Sequence, residues 1–391
     1  MIPSMTDSAR VLPDYQGGSI VNLMASIVRA LGAEEPLYRP LRALPPECLS
    51  GRTVILLVID GLGHDWLLAH RPGGPLARHV RDRITSVFPS TTATAITTFL
   101  TGTAPQQHAI TGWFMYFQEL SGVLAVLPYE TRCTGLPPSV PAQQLLAPSP
   151  VFDRLNARSH LIAPSRIVHS QFNSAYRGKA RAHGFKDLGQ LLQSLTQLAR
   201  AGRERKYLYG YWPQLDRLAH EHGIESRETL DHLAELDSAF GAFLDGIAAT
   251  DTTVIVTGDH GFIDARADQT IDLGLHPELA CTLASPLCGE GRAAYCYVRQ
   301  EMRRQFADYV AAHLEQHVEM TESGALIAAD YFGLGTPHPR LRERIGDFTL
   351  IPKGRAVIRH WLAGESRYVH IGVHGGMSAE EMYVPLIVAQ R

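Results

Sequence analysis

Apolar positions follow two alternating rhythms along this chain. Within residues 18–32, Ile20, Leu23, Met24, Ile27, Val28 and Leu31 recur at helical spacing, which predicts an amphipathic helix packed on something larger. A proline-rich connector follows through Pro45 and Pro46, and then residues 53–59, TVILLVI, are an unbroken β-branched and aliphatic run. Such a run predicts a strand buried on both faces, as in a parallel sheet covered by helices. It ends in Asp60-Gly61-Leu62-Gly63, and the carboxyl edge of an open α/β sheet is where ligands bind.

The same pairing of rhythms returns further on. Leu188, Leu191, Leu192, Leu195 and Leu198 predict a helix that Gly202 ends, and residues 207–212, YLYGYW, read as the next strand. Ser226 opens a long helix through Leu230, Leu233, Phe240, Leu244 and Ile247; residues 253–257 are a further buried strand, closed by Asp259-His260. With a short strand in residues 161–167, this alternation predicts a layered α/β fold with a mostly parallel sheet flanked by helices. Between residues 101 and 150 the pattern is weak: a turn-rich loop to Trp113, then a helix in residues 143–157 interrupted by Pro148 and Pro150. It loosens again over residues 261–355, where a strand is expected in residues 293–298 and a helix in residues 301–317. The chain thus divides into an irregular start, helix and connector (1–50), an α/β core (51–261), a small inserted cap (262–355) and a return to the core (356–391).

Bulk properties narrow the partners. A net charge of -3 with both signs interspersed gives no reason to expect a nucleic-acid polymer or an anionic membrane. No run of about 18 apolar residues exists, and the start MIPSMTDSARVLPDYQGG lacks the charged-then-apolar pattern of a signal peptide, so a soluble, cytoplasmic protein is expected. Cys48, Cys133, Cys281, Cys288 and Cys296 are odd in number and form no C-x-x-C pair, which predicts reduced thiols rather than a disulfide framework.

Four separated places end or follow an apolar strand with metal-ligand chemistry: Asp60, Asp216 with His220, Asp259 with His260, and His374. An Asp and a His four apart lie on one face of a helical turn and can reach one cation. Each place also has an ordinary reading, as a solvated ion pair, a turn or a core histidine. Strand ends of a parallel sheet converge, however, and three carboxylates with three histidines there leave negative charge that two divalent cations offset. Such a pair activates a hydroxyl and stabilises the attacking and leaving oxygens of phosphoryl transfer. Residues 86–102, SVFPSTTATAITTFLTG, supply the hydroxyl. Pro89 and Ser90 stop an extended segment, and Ile96, Phe99 and Leu100 then recur at helical spacing, which sets Thr91 and Thr92 in a first helical turn. A helix N-terminus favours a bound anion, although Ser and Thr also simply cap helices.

VILLVIDGLG, FPSTTATAITTFLTGTAPQQHAI, LDRLAHEHG, VTGDHGF and VHGGMSAEEMYVPLIV resemble, in order, the motifs of the alkaline phosphatase superfamily and specifically its type I phosphodiesterase/nucleotide pyrophosphatase family. The resemblance implies a phospho-threonine intermediate and two zinc ions, with manganese suited to the same ligands. One ion would be held by Asp60, Asp259, His260 and the nucleophile oxygen, the other by Asp216, His220 and His374. Counting back from Thr101-Gly102 sets the nucleophile on Thr92, with Thr91 in reserve, and the family's phosphate-binding asparagine on Ala95. The oxyanion donor must then come from elsewhere, such as the Ala93 N–H or an unplaced side chain.

The expected function is a two-metal phosphohydrolase acting on small phosphodiesters or nucleotide pyrophosphates. A phosphonoacetate hydrolase or phosphomonoesterase is the alternative within the superfamily, and a catalytically silent metal-binding protein the alternative of another class. Among lesser candidates, His64 reads as a surface residue, His222 as off the ligand face, and Arg177 and Lys179 as a solvated loop. Tyr211 and Trp212 read as core packing with base stacking in reserve, and Ser378 with Glu381 as a helix start.

Overall fold

The computed structural model describes residues 10–32, 35–146, 149–365 and 367–391. The central sheet contains β1 (Thr53–Ile59), β2 (Val80–Thr85), β3 (Arg158–Pro164), β4 (Arg181–Phe185), β5 (Lys206–Trp212), β6 (Thr252–Thr257) and β7 (Tyr383–Gln390). Its order is β2-β7-β6-β1-β5-β3-β4. All its pairings are parallel except those of β7, which runs antiparallel to both neighbours.

The alternation of side chains along β1 accounts for the layers. Val54, Leu56 and Val58 join an apolar cluster with α1 (Ile20–Leu31) and α2 (Thr92–Thr101). Ile55, Leu57 and Ile59 join the cluster on the opposite face with α3 (Leu188–Arg200), Leu215 of α4 (Gln214–His222) and α5 (Arg227–Gly246). Ser226 caps α5 as expected, its hydroxyl accepting from the Thr229 amide at 3.2 Å. At the sheet edge, β2 reads VRDRIT and exposes its charged middle, which discourages pairing with another chain.

A second seven-stranded sheet, antiparallel throughout, packs beside the first. It combines Phe114–Phe117, Gly122–Ala125 and Glu130–Thr131 with Cys288–Glu290, Ala293–Cys296, Val318–Glu322 and Phe348–Pro352. The region expected as an inserted cap therefore shares its sheet with residues from the weakly patterned stretch after Trp113. Here several sequence expectations run long. The strand in residues 293–298 stops at Cys296, and the helix in residues 301–317 is Arg303–His313 after one 3-10 turn. Residues 143–157 hold two short helices, Ala142–Leu146 and Val151–Arg154; 147–148 lie outside the described residues, as do 1–9 of the expected irregular start. All five cysteines are free. Among the described residues, no helix is long and apolar enough to cross a membrane.

The segment after His374 is fixed by a buried ion pair. Ser378 and Glu381 form the expected capping box on the short helix Ala379–Met382. Glu381 also accepts from Arg292 through both carboxylate oxygens, at 3.1 and 2.8 Å, and from the Gly376 amide at 2.8 Å. Removing one partner leaves an uncompensated buried charge, so Arg292→Ala is expected to destabilise by about 3–5 kcal/mol. Urea unfolding measures this, and a loss below about 1 kcal/mol, the ceiling typical of exposed pairs, rules out the structural role.

Candidate active site

Strand register gathers the site. Ile59 lies opposite Trp212 and Val58 opposite Thr257, so Asp60, the α4 residues and Asp259 all leave the sheet at one carboxyl edge. Above that edge Thr91 is the N-cap of α2 and Thr92 its first residue, and neither hydroxyl is spent on capping. Thr91 Oγ1 instead donates to Glu290 Oε1 at 2.7 Å. Thr92 Oγ1 stands 3.1 Å from His260 Nε2 and 3.4 Å from Asp60 Oδ1. The first bond of the turn runs from the Ala95 amide to Thr91 O at 2.9 Å. The amides of Thr92, Ala93 and Thr94 therefore have no intrahelical partner. The nucleophile segment is stitched to its surroundings by two serines: Ser86 Oγ donates to Asp259 O and Ser90 Oγ to Gly376 O.

The six expected ligands fall into two groups, Asp60–Asp259–His260 and Asp216–His220–His374, each with one ligand atom per residue within 4.8 Å of the others. In the first group all three side chains are buried. Asp259 Oδ1 accepts from the Gly61 and His260 amides at 3.0 Å each, and Tyr211 OH donates to Asp60 Oδ2. In the second, His220 Nε2 is 3.3 Å and His374 Nε2 3.7 Å from Asp216 Oδ1. His220 Nδ1 faces Gly372 O at 2.8 Å, which fixes the ring and leaves Nε2 toward the ligand group.

The electrostatics show what the groups lack. Burial, reinforced by Asp216, pushes the Asp60 carboxyl well above its usual range, and burial with Asp60 does the same to Asp259. Burial lowers the His374 imidazole, with His260 and His220 adding to the effect. Burial also opposes a charged His220, but the Asp216 carboxylate overcomes it and pushes the imidazole up to about 9. Asp216 Oδ1 and Asp259 Oδ2 are buried without a hydrogen-bond partner. Orphaned carboxylate oxygens, one in each group, fit divalent cations: each would satisfy an orphan and offset the repulsion.

Two cavities, about 590 and 550 Å³, converge on Thr92, Asp216 and His220. The smaller is walled largely by Ile96, Leu161, Phe172, Tyr209 and Tyr211. Trp113, Tyr368 and His370 line both. Ala95 lines neither; it is fully buried in the cluster beneath α2. His64 pairs with Asp65, His222 with Glu221, and Lys179 with the Asp153 backbone, all apart from the ligand groups. Trp212 is core, stacked on Phe185, whereas Tyr211 reaches the site.

Sequence reasoning missed Glu290, whose Oε1 accepts from both Thr91 Oγ1 and the Trp113 amide at 2.7 Å. Burial pushes this carboxyl up to about 7 against those two hydrogen bonds. It lies on the strand Cys288–Glu290, in a region whose short runs carry no site signal.

Residues 54–377 match the family model described as type I phosphodiesterase / nucleotide pyrophosphatase. No curated protein matches the chain in sequence. Among solved structures, the chain is similar to murine ectonucleotide pyrophosphatase / phosphodiesterase 5, with a TM-score of 0.65 and 15% identity over 85% of this chain and 87% of that one. An inactive form of the same murine protein in complex with AMP gives 0.64 and 16% over 85% and 87%. Phosphonoacetate hydrolase from Sinorhizobium meliloti 1021, in complex with phosphonoacetate, gives 0.61 and 17% over 86% and 90%. At such identities the likeness is one of fold.

Proposed function

This chain belongs to the type I phosphodiesterase/nucleotide pyrophosphatase family and is a hydrolase of phosphoric esters; we propose that it works through Thr92 and two divalent cations. The observation that carries this reading is the position of Thr92 Oγ1, within 3.4 Å of Asp60 and His260 at the start of a helix. Asp60, Asp259 and His260 would hold one cation together with the Thr92 oxygen, and Asp216, His220 and His374 the other. When bound, such cations supply Lewis acidity that activates a hydroxyl and offsets charge on the attacking and leaving oxygens. The carboxylate and imidazole donors suit zinc, with manganese as the second choice.

Thr92 Oγ1 attacks phosphorus, its hydroxyl proton passes to solvent water, and the bond to the leaving alcohol or phosphate breaks with its electron pair on the departing oxygen. The amides of Ala93 and Thr94, at the positive end of α2, face the charge that develops on the phosphoryl oxygens. Water then cleaves the phospho-threonine and restores Thr92. Two inversions leave the configuration at phosphorus retained. Favoured substrates are phosphodiesters and nucleotide pyrophosphates, because two cavities flank Thr92 and a diester has two arms to place. Five free thiols accord with a reducing, cytoplasmic setting.

The test is a rate comparison on metal-loaded protein with bis(p-nitrophenyl) phosphate, p-nitrophenyl phosphate and phosphonoacetate. The diester is expected to exceed the monoester in kcat/KM by about tenfold or more. A monoester or phosphonoacetate preference replaces this substrate class, and no turnover of any of the three returns the chain to metal binding without catalysis.

A further inference from the structure

Three arginines line the 590 Å³ cavity beside Thr92: Arg132, Arg292 and Arg359. Arg132 Nε lies 2.8 Å from Glu365 Oε1, and Arg292 Nη2 lies 2.8 Å from Glu381 Oε2. Both therefore bring their own counter-charge. Arg359 does not: among the described residues no carboxylate comes within 4.0 Å of its guanidinium. Its Nη2 donates to His370 O at 2.7 Å, and its Nε is buried without an acceptor. Asp272 stands opposite it in the ladder between Thr270–Asp272 and Val357–Arg359. Burial nevertheless outweighs Asp272 and pulls the guanidinium below its ordinary range. Of the other carboxyls on the cavity wall, Asp216 belongs to the second ligand group and Glu290 is engaged with Thr91 and Trp113.

An arginine stays protonated throughout the physiological range, and a partly desolvated cation is stabilised by an anion that reaches it. The location says where that anion sits. His370, whose carbonyl Arg359 holds, packs its ring 4.3 Å from that of His220. The guanidinium is thus linked to the ligand groups through one residue, on the wall of the cavity that Thr92 also lines. The opposite cavity, with Ile96, Leu161 and Phe172, offers an apolar wall instead.

We propose that Arg359 is a specificity-determining residue that binds a second anionic group, phosphate or carboxylate, carried by the substrate beyond the reacting phosphorus. This rests on the phosphohydrolase reading of the same cavity and adds what the substrate must carry. Among phosphodiesters and nucleotide pyrophosphates, those that carry such a group beside the reacting phosphorus are then favoured.

Calorimetric titration of metal-loaded Thr92→Ala protein with inorganic phosphate, inorganic pyrophosphate and phosphonoacetate tests this without turnover. Adding Arg359→Ala is expected to weaken binding of a two-anion probe by about tenfold or more relative to phosphate, the scale of a lost charge-assisted pair. Arg359→Lys should restore part of it, and the Lys and Gln variants carry the comparison if the Ala variant does not fold. A loss confined to pyrophosphate assigns a phosphate, and one confined to phosphonoacetate a carboxylate. Equal changes for all three probes, or none, overturn the proposal. Failure of the hydrolase reading shows separately, in the rate comparison above.

Discussion

Thr92→Ala is expected to lower turnover of bis(p-nitrophenyl) phosphate by about a thousandfold or more, since the hydroxyl that forms the covalent intermediate is gone. The side chain sits at the first position of α2 and makes no capping bond, so its loss should leave the helix in place. It takes the Thr92 oxygen from the first cation but leaves the three Asp and His residues of each group in place. Metal content therefore separates a lost nucleophile from a lost site. Thr92→Ser keeps the hydroxyl and should retain measurable activity. Thr91→Ala, which severs the contact with Glu290, should reduce the rate less than Thr92→Ala. If Thr92→Ala matches the unmodified protein while Thr91→Ala is inactive, the nucleophile is Thr91.

Removal of the cations is expected to have the second large effect. Active protein should contain about two equivalents of divalent metal per chain, and chelation should abolish turnover until zinc or manganese is restored. Asp259→Ala should lose one equivalent, because Asp259 Oδ2 is buried without a hydrogen bond to satisfy it otherwise. Stability should follow occupancy, since metal binds the assembled site and not the unfolded chain. At a thousand times the dissociation constant the gain is about 4 kcal/mol, read as a rise in melting temperature on adding metal back. One equivalent or none in freshly purified active protein excludes a two-metal centre.

What could be read from the sequence depended on run length. β1 is bounded by residues 53 and 59 as its apolar run is, and α3 and α5 follow their leucine spacing closely, because long periodic segments bury one continuous face. The second sheet escaped notice because its strands are two to five residues long. Their partners lie far away in the chain, as Gly289 does from Phe114. Residues brought to the site by that sheet, Glu290 above all, carried no local mark. Tyr211 was misjudged for a different reason. Along β5, Tyr207, Tyr209 and Tyr211 share the face toward α2, and Trp212 takes the other, so only Tyr211 reaches Asp60. Of the residues in the two Asp and His groups, Asp60, Asp259 and His374 stood out because each follows a strand end where apolar packing stops, and Asp216 with His220 because they lie four apart on one helix.

The two serine bonds, from Ser86 to the Asp259 carbonyl and from Ser90 to the Gly376 carbonyl, tie the segment that leads into Thr91 and Thr92 to the loops bearing Asp259 with His260 and His374. Under the proposed mechanism, loosening either loop would shift the Thr92 oxygen along with the residues of that group, since segments that open locally move together. Readiness to attack and capacity to hold the cations would then depend on the same few hydrogen bonds.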